Sequence, residues 1–272
     1  MSDIHIRETA STSSSTPRVK PSPKTSAIPV PFSYTPSDDG TDENLLILLH
    51  GLGDTHVPFT KLGRQLKLPQ TAILALRAPE QVPFLYEDSF QWYTSFDDLG
   101  ELIERPNPTP ALDLLTKVLK HLVEDCSWPP HRIHFFGFAQ GGSVAAEFGI
   151  RWWKDHLQAQ RADPSLAKTG GAFGSVVSIS GPLLSYPTLS TLNPTPVLVV
   201  HNPPPAETAL PAGAISAYRK AYENVVEKTS RAPGMPASKE GWEPIMQFWS
   251  RHLGRRQVEG LYEVMSGAAS IP

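Results

Sequence analysis

Arg132-Ile-His-Phe-Phe-Gly-Phe-Ala-Gln-Gly-Gly-Ser-Val-Ala-Ala146 decides how this chain is read. Its first half is an apolar run of strand length and its second half suits a helix, so the stretch predicts a strand that turns abruptly into a helix. In such an elbow the apex residue takes strained backbone angles, and the residues two before and two after it must be small. Gly137 and Gly141 occupy those flanks, and Gly142 adds clearance. A hydroxyl at the apex would stand at the helix N-terminus, where the dipole and free N–H groups favour developing negative charge. The apex is Ala139, and a methyl group attacks nothing. The plainer alternative is an ordinary Gly-rich strand-to-helix turn.

The upstream sequence weighs against that alternative. Asn44-Leu-Leu-Ile-Leu-Leu-His50 is a continuous apolar run, as expected of a strand buried on both faces of a parallel sheet. It empties into Gly51-Leu-Gly-Asp-Thr55. A strand followed by His-Gly-x-Gly supplies one N–H of an oxyanion hole, and the residue after the elbow apex supplies the second. The expected donors are therefore the backbone N–H groups of Leu52 and Gln140. A dinucleotide-binding turn begins in the same way with Gly51-Leu-Gly53, but its third glycine would fall on His56.

The rest of the chain alternates between strand and helix signals. Strands are expected at 45–50, 72–76, 133–138, 175–179 and 197–201, with an edge strand within 28–34. Helices are expected at 59–66, 111–126, 140–156, 215–226 and 239–253, and 158–169 reads as a polar surface loop. In 111–126, Leu112, Leu115, Val118, Leu119 and Leu122 recur at three- and four-residue spacing and form one core-facing stripe. This alternation implies an α/β fold with a mainly parallel central sheet and helices on both faces.

Six segments taken in order resemble one family: Leu49-His-Gly-Leu-Gly-Asp-Thr55, Arg77-Ala-Pro79, Trp92-Tyr-Thr-Ser-Phe-Asp97, Gly137-Phe-Ala-Gln-Gly-Gly142, Pro196-Val-Leu-Val-Val-His201 and Pro233-Gly-Met235. They are similar to the phospholipase/carboxylesterase group of α/β hydrolases, which includes the acyl-protein thioesterases, across about 44–253. The resemblance implies an α/β-hydrolase fold and ancestry among serine hydrolases of fatty-acyl esters or thioesters, with no metal or organic cofactor. Mapped through it, the nucleophilic Ser falls on Ala139 and the catalytic His on Ala237. The acid falls on Glu207 if two inserted residues are allowed in His201-Asn-Pro-Pro-Pro-Ala-Glu-Thr-Ala-Leu-Pro211. Without a histidine, Glu207 orients nothing and reads equally as a solvated loop carboxylate.

No other residue takes over convincingly from the sequence alone. Ser143 lies one helical turn after the apex, where its hydroxyl is expected to bond a backbone carbonyl. Cys126 ends an amphipathic helix and reads as a small buried hydrophobe. His252 suits a helix C-terminus, and His131 and His134 frame a core strand. Candidate ligand contacts are His50 and Gly51 at the oxyanion turn, His201 at a strand end, and Trp92, Tyr93 and Phe96 in an aromatic-rich stretch that also holds Phe84, Leu85, Tyr86 and Phe90. The competing reading of these aromatics is that they pack the segment down. The doubly replaced triad points to a non-hydrolytic relative that binds a fatty-acyl ester or thioester, or an acylated protein. The alternative is an active ester or thioester hydrolase using displaced residues.

The 272 residues are 40% hydrophobic and 19% charged, enough for one substantial core. A formal net charge of −3 gives no general attraction to nucleic acid, and no apolar run reaches the roughly 18 residues that span a bilayer. One cysteine excludes an internal disulfide and suits the cytoplasm. Residues 1–27, rich in Ser, Thr and Pro, are expected to be a disordered tail without a signal or transit peptide. Residues 28–254 form the α/β domain, and 255–272 a C-terminal extension.

Overall fold

The computed structural model describes residues 18–83, 88–163, 170–206, 209–230 and 232–256. Strands β1 (Phe32–Thr35), β2 (Asn44–Leu49), β3 (Thr71–Leu76), β6 (Ile133–Phe138), β7 (Ser175–Ile179), β8 (Val197–His201) and β9 (Val225–Thr229) form one sheet in the order β1-β3-β2-β6-β7-β8-β9. β1 runs antiparallel to β3 and every other neighbouring pair is parallel. β4 (Glu80–Gln81) and β5 (Phe90–Gln91) make a separate two-residue ladder.

Alternating side chains of β2 explain why its apolar run is unbroken. Leu45, Ile47 and Leu49 enter a core shared with α2 (Thr109–Glu124), α3 (Gln140–Ala162) and α4 (Ala214–Ala221). Leu46 and Leu48 enter the opposite core, with α1 (His56–Gln65) and α5 (Lys239–His252). Each face of the sheet is thus covered by helices, as parallel pairing requires. β2 pairs with β3 on one side and with β6 on the other, so the chain order reverses at β2. Ligands of open α/β sheets bind beyond the strand C-termini at such a reversal. The turns after β2 and β6 both lie at that edge.

Several sequence expectations are corrected. The helix expected over 215–226 stops at Ala221, because Tyr222 is extended and Val225–Thr229 pairs with β8 as a strand. β-branched Val225 and Val226 favour that state. α3 runs on to Ala162, so the loop expected from 158 begins later; residues 164–169 lie outside the described set.

Residues 18–27, expected as part of a disordered tail, are held against the domain by specific hydrogen bonds. Lys20 N–H donates to Asp42 Oδ2 (2.9 Å), Lys20 Nζ to the Ser127 carbonyl (2.6 Å), and Lys24 N–H to His121 Nε2 (3.0 Å). Pro23 within this strap is buried. Backbone donors find partners that composition could not reveal. At the other end, Arg256 N–H donates to Gln70 Oε1 (2.8 Å) and its guanidinium faces Glu43. Residues 1–17 and 257–272 lie outside the described set.

Candidate active site

β6 delivers the chain to Ala139, whose backbone angles are φ 48° and ψ −114°. L-residues populate that region sparsely. Two hydrogen bonds hold it: Ala139 N–H donates to the Ile179 carbonyl (2.8 Å), and the Ala139 carbonyl accepts from Ser143 N–H (3.0 Å). Both flanking glycines are required. A Cβ on Gly137 would lie 2.2 Å from the Gly141 carbonyl, and one on Gly141 would lie 2.3 Å from the Leu49 carbonyl oxygen. The elbow expected from sequence is therefore present in full, packed against the end of β2, with a half-buried methyl at its apex.

The turn after β2, where an oxyanion hole is expected, is equally well built. His50 is fully buried; its Nε2 accepts from Ala78 N–H (2.9 Å), so Nδ1 carries the proton and donates to the Gly51 carbonyl (2.7 Å). Burial lowers its pKa and keeps the ring neutral. Trp92 Nε1 donates to the His50 carbonyl (2.8 Å) and Gly53 N–H to the Phe90 carbonyl (2.9 Å). The N–H groups of Leu52 and Gln140 donate to no carbonyl or side chain among the described residues. Because Gly141 touches the carbonyls of Leu49 and His50, the two turns meet, and free N–H donors from each lie at the same sheet edge.

The Gln140 side chain couples the elbow to the aromatic segment. Its Oε1 accepts from Trp92 N–H (2.8 Å), and its Nε2 donates to the Tyr93 carbonyl (3.0 Å) and to Ser95 Oγ (2.6 Å). Trp92 is wholly buried and Tyr93 nearly so, whereas Phe96 is 44% exposed. Phe90 is buried with the Arg77 guanidinium 4.0 Å above its ring. Of the candidate ligand contacts, His50 and Trp92 thus serve as internal braces, and Phe96 faces solvent. Phe84, Leu85 and Tyr86 lie outside the described residues.

The segment expected to carry the catalytic histidine holds no histidine from Pro233 to Ser238. Pro233–Ser238 leads into α5, and Ser238 Oγ caps that helix by accepting from Gly241 N–H (3.3 Å). Met235 packs against the core on the α1 and α5 face, while Ala237 is exposed and carries only its methyl. Glu207 lies outside the described residues. His201 points to the α4 face with Val197 and Val199; its Nε2 meets Glu227 Oε1 (3.0 Å) and its Nδ1 the Asn202 carbonyl (3.1 Å). Arg219 of α4 joins the same carboxylate (3.2 Å).

Ser143 is fully buried and, contrary to expectation, its hydroxyl bonds no carbonyl among the described residues. It packs beside the Tyr93 phenol without a well-aligned hydrogen bond, and burial pushes that phenol up. Cys126 is buried near the opposite edge of the sheet, and burial with Asp125 raises its thiol.

Sequence reading missed Glu147. Buried two turns into α3, it accepts from the N–H groups of Leu184 and Ser185 (2.7 Å each) and from Ser185 Oγ (2.8 Å). Tyr218 adds a bond from its hydroxyl to the Gly181 carbonyl (2.6 Å). Together they press the loop after β7 onto the elbow, where a Cβ on Gly181 would meet Ser143 N at 2.4 Å. The available signal was a lone carboxylate within the small and apolar run Val144–Ile150.

Comparison with known proteins agrees with this geometry. Residues 34–157 match the family described as Phospholipase/Carboxylesterase. An uncharacterized hydrolase of Mycosarcoma maydis is 39% identical over 237 residues, covering 84% of this chain and 85% of its relative. The chain belongs to the phospholipase/carboxylesterase family. Among solved structures, esterase PE8 superposes with a TM-score of 0.66 at 19% identity, covering 82% of this chain and 99% of that one. Zea mays acyl-protein thioesterase 2 gives 0.60 at 20% identity, with 83% and 100% covered. Both share the α/β-hydrolase fold. Within that family fold, this member has the strained strand-to-helix elbow with Ala139 at its apex, packed against the Gly51–Thr55 turn.

Proposed function

We propose that this protein is a non-hydrolytic family member that binds a fatty-acyl ester or thioester, free or carried on an acylated protein. The carbonyl oxygen is held by the N–H groups of Leu52 and Gln140. The observation that carries the reading is Ala139: the strained apex conformation is kept while the group it would present is absent. Removing Ser or His from a serine-protease triad costs about six orders of magnitude in turnover, and here both positions are alanine. Binding does not need them. Each hydrogen bond to the carbonyl contributes about 1 kcal/mol, whereas each buried methylene contributes about 0.8 kcal/mol. Acyl chain length therefore sets affinity, by about fourfold per methylene.

Glu207 would be a loop carboxylate without a catalytic partner. The reading places the protein in the cytoplasm, where an unpaired cysteine remains reduced.

The test is intact-mass analysis after exposure to a fluorophosphonate, which phosphonylates activated serines. The expected result is no adduct. A stoichiometric adduct on any serine would establish an active hydrolase with displaced residues and end the non-hydrolytic reading.

A further inference from the structure

The segment from Thr94 to Glu104 leaves the body as a small hairpin beside the apex. Phe96 and Leu102 pair in an isolated antiparallel bridge, Asp97 N–H donates to the Glu101 carbonyl (2.9 Å), and Ile103 N–H donates to the Ser95 carbonyl (2.9 Å). Asp97 Oδ1 closes the tip by accepting from the N–H groups of Leu99 and Glu101, each at 2.9 Å. The base is fixed to the elbow, since Ser95 Oγ accepts from Gln140 Nε2. Local hydrogen bonds thus shape the hairpin and hold it at the rim of the site.

What it displays is costly for a free surface. Leu99 is 88% exposed, Leu102 70% and Phe96 44%, and Leu52 of the oxyanion turn is 38% exposed. Clustered exposed apolar side chains mark an interaction surface. Between residues 94 and 104 the chain also carries Asp97, Asp98, Glu101 and Glu104 with no Lys or Arg. None of these carboxylates forms an ion pair among the described residues. An apolar tip alone would suit a lipid surface, but unpaired acids ringing it repel anionic headgroups. They attract a partner that brings positive charge along with its apolar side chains.

We propose that the 94–104 hairpin, with Leu52, docks a cationic amphipathic peptide segment. The claim rests on the acyl-binding reading above and sharpens it: the ligand is an acylated protein whose modified residue is flanked by Lys or Arg and apolar residues. Apolar side chains of that segment cover Phe96, Leu99 and Leu102, while its cations pair with Asp98, Glu101 and Glu104. The acyl group then faces the turn carrying the Leu52 and Gln140 donors.

The experiment is fluorescence anisotropy with a labelled, unacylated twelve-residue peptide of alternating Lys and Leu, titrated with the full chain. A Glu/Leu peptide and a Lys/Ser peptide serve as controls. Saturable binding of the Lys/Leu peptide alone is expected. Asp98→Lys/Glu101→Lys and Leu99→Ser/Leu102→Ser should each weaken it by about tenfold with unchanged circular dichroism, the scale of a few screened charge pairs or of two shallowly buried side chains. Equal binding of the Glu/Leu peptide, or insensitivity to both double variants, overturns the proposal.

Two other occupants would show themselves. Leu99- and Leu102-dependent sedimentation with phosphatidylcholine vesicles, without peptide binding, assigns the surface to lipid. A concentration-dependent dimer abolished by Leu99→Ser/Leu102→Ser assigns it to a second copy. Because the peptide carries no acyl group, the two readings fail separately. Peptide binding without fatty-acyl thioester binding removes the acyl reading, and the reverse removes only the docking surface.

Discussion

Replacing Ala139 with glycine should stabilise the protein, the opposite of what glycine does within the helix that follows. At φ 48° and ψ −114° the alanine Cβ crowds its own backbone, which costs about 1–3 kcal/mol at such positions. Glycine relieves that strain and loses about 0.5–1 kcal/mol to the greater freedom of the unfolded chain. The bonds from Ala139 N–H to Ile179 and from Ser143 N–H to the Ala139 carbonyl are backbone bonds and survive the change. The net gain is about 1 kcal/mol, or roughly a 2–4 °C rise in Tm for a domain of this size. Ala145→Gly is the control, since Ala145 is buried in the regular part of α3 and should lose about 1 kcal/mol or more. Urea denaturation of the parent and both variants gives the comparison directly. If Ala139→Gly loses as much stability as Ala145→Gly, the apex is not strained and the elbow argument fails.

Two further outcomes follow from the same geometry. Ala139→Ser should leave p-nitrophenyl ester turnover within about tenfold of the parent, because no base stands at Ala237; strong turnover would reveal a base supplied from elsewhere. Gln140→Ala should cost about 2–4 kcal/mol by orphaning the buried Trp92 N–H and Tyr93 carbonyl, and should speed amide exchange at Trp92; unchanged exchange there would contradict the bracing role.

His134 should impose acid sensitivity. Burial, with the fields of His252, Arg132 and His131, lowers its pKa from 6.5 to about 3. The unfolded chain therefore takes up a proton below about pH 6.5 that the folded protein refuses until about pH 3, and stability falls as pH drops through that window. The loss from this group reaches about 2 kcal/mol by pH 5, and His134→Asn should flatten the decline between about pH 6.5 and 4; an unchanged slope would contradict it.

The fold was readable wherever local pattern and tertiary role coincide. The unbroken apolar run of β2 could only be a strand covered on both faces, and Gly137 and Gly141 marked a turn too tight for a side chain. β9 was misread because Val225–Thr229 has mostly exposed side chains and gains its identity from pairing with β8, which no local signal records. The strap at 18–27 was missed for the same reason: its stability comes from Asp42, His121 and Ser127, far away in sequence.

At the site, the strained apex and the tight packing of its flanking glycines were legible from the motifs, since backbone geometry follows from glycine placement. The roles of His50 and Trp92 were not. A histidine or tryptophan beside a binding turn looks the same in sequence whether it faces a ligand or braces the turn, and only burial and hydrogen-bond partners separate the two. Glu147 was hidden by its helix, because the N–H groups it satisfies belong to a loop about 37 residues later.

The most direct test of the central claim is to titrate the ¹⁵N-labelled chain with a long-chain fatty-acyl thioester while assaying release of the free thiol. The account predicts saturable shifts of the Leu52 and Gln140 amide resonances and quantitative recovery of the intact thioester. Release of many equivalents of thiol, or saturable binding that moves neither amide, would contradict it.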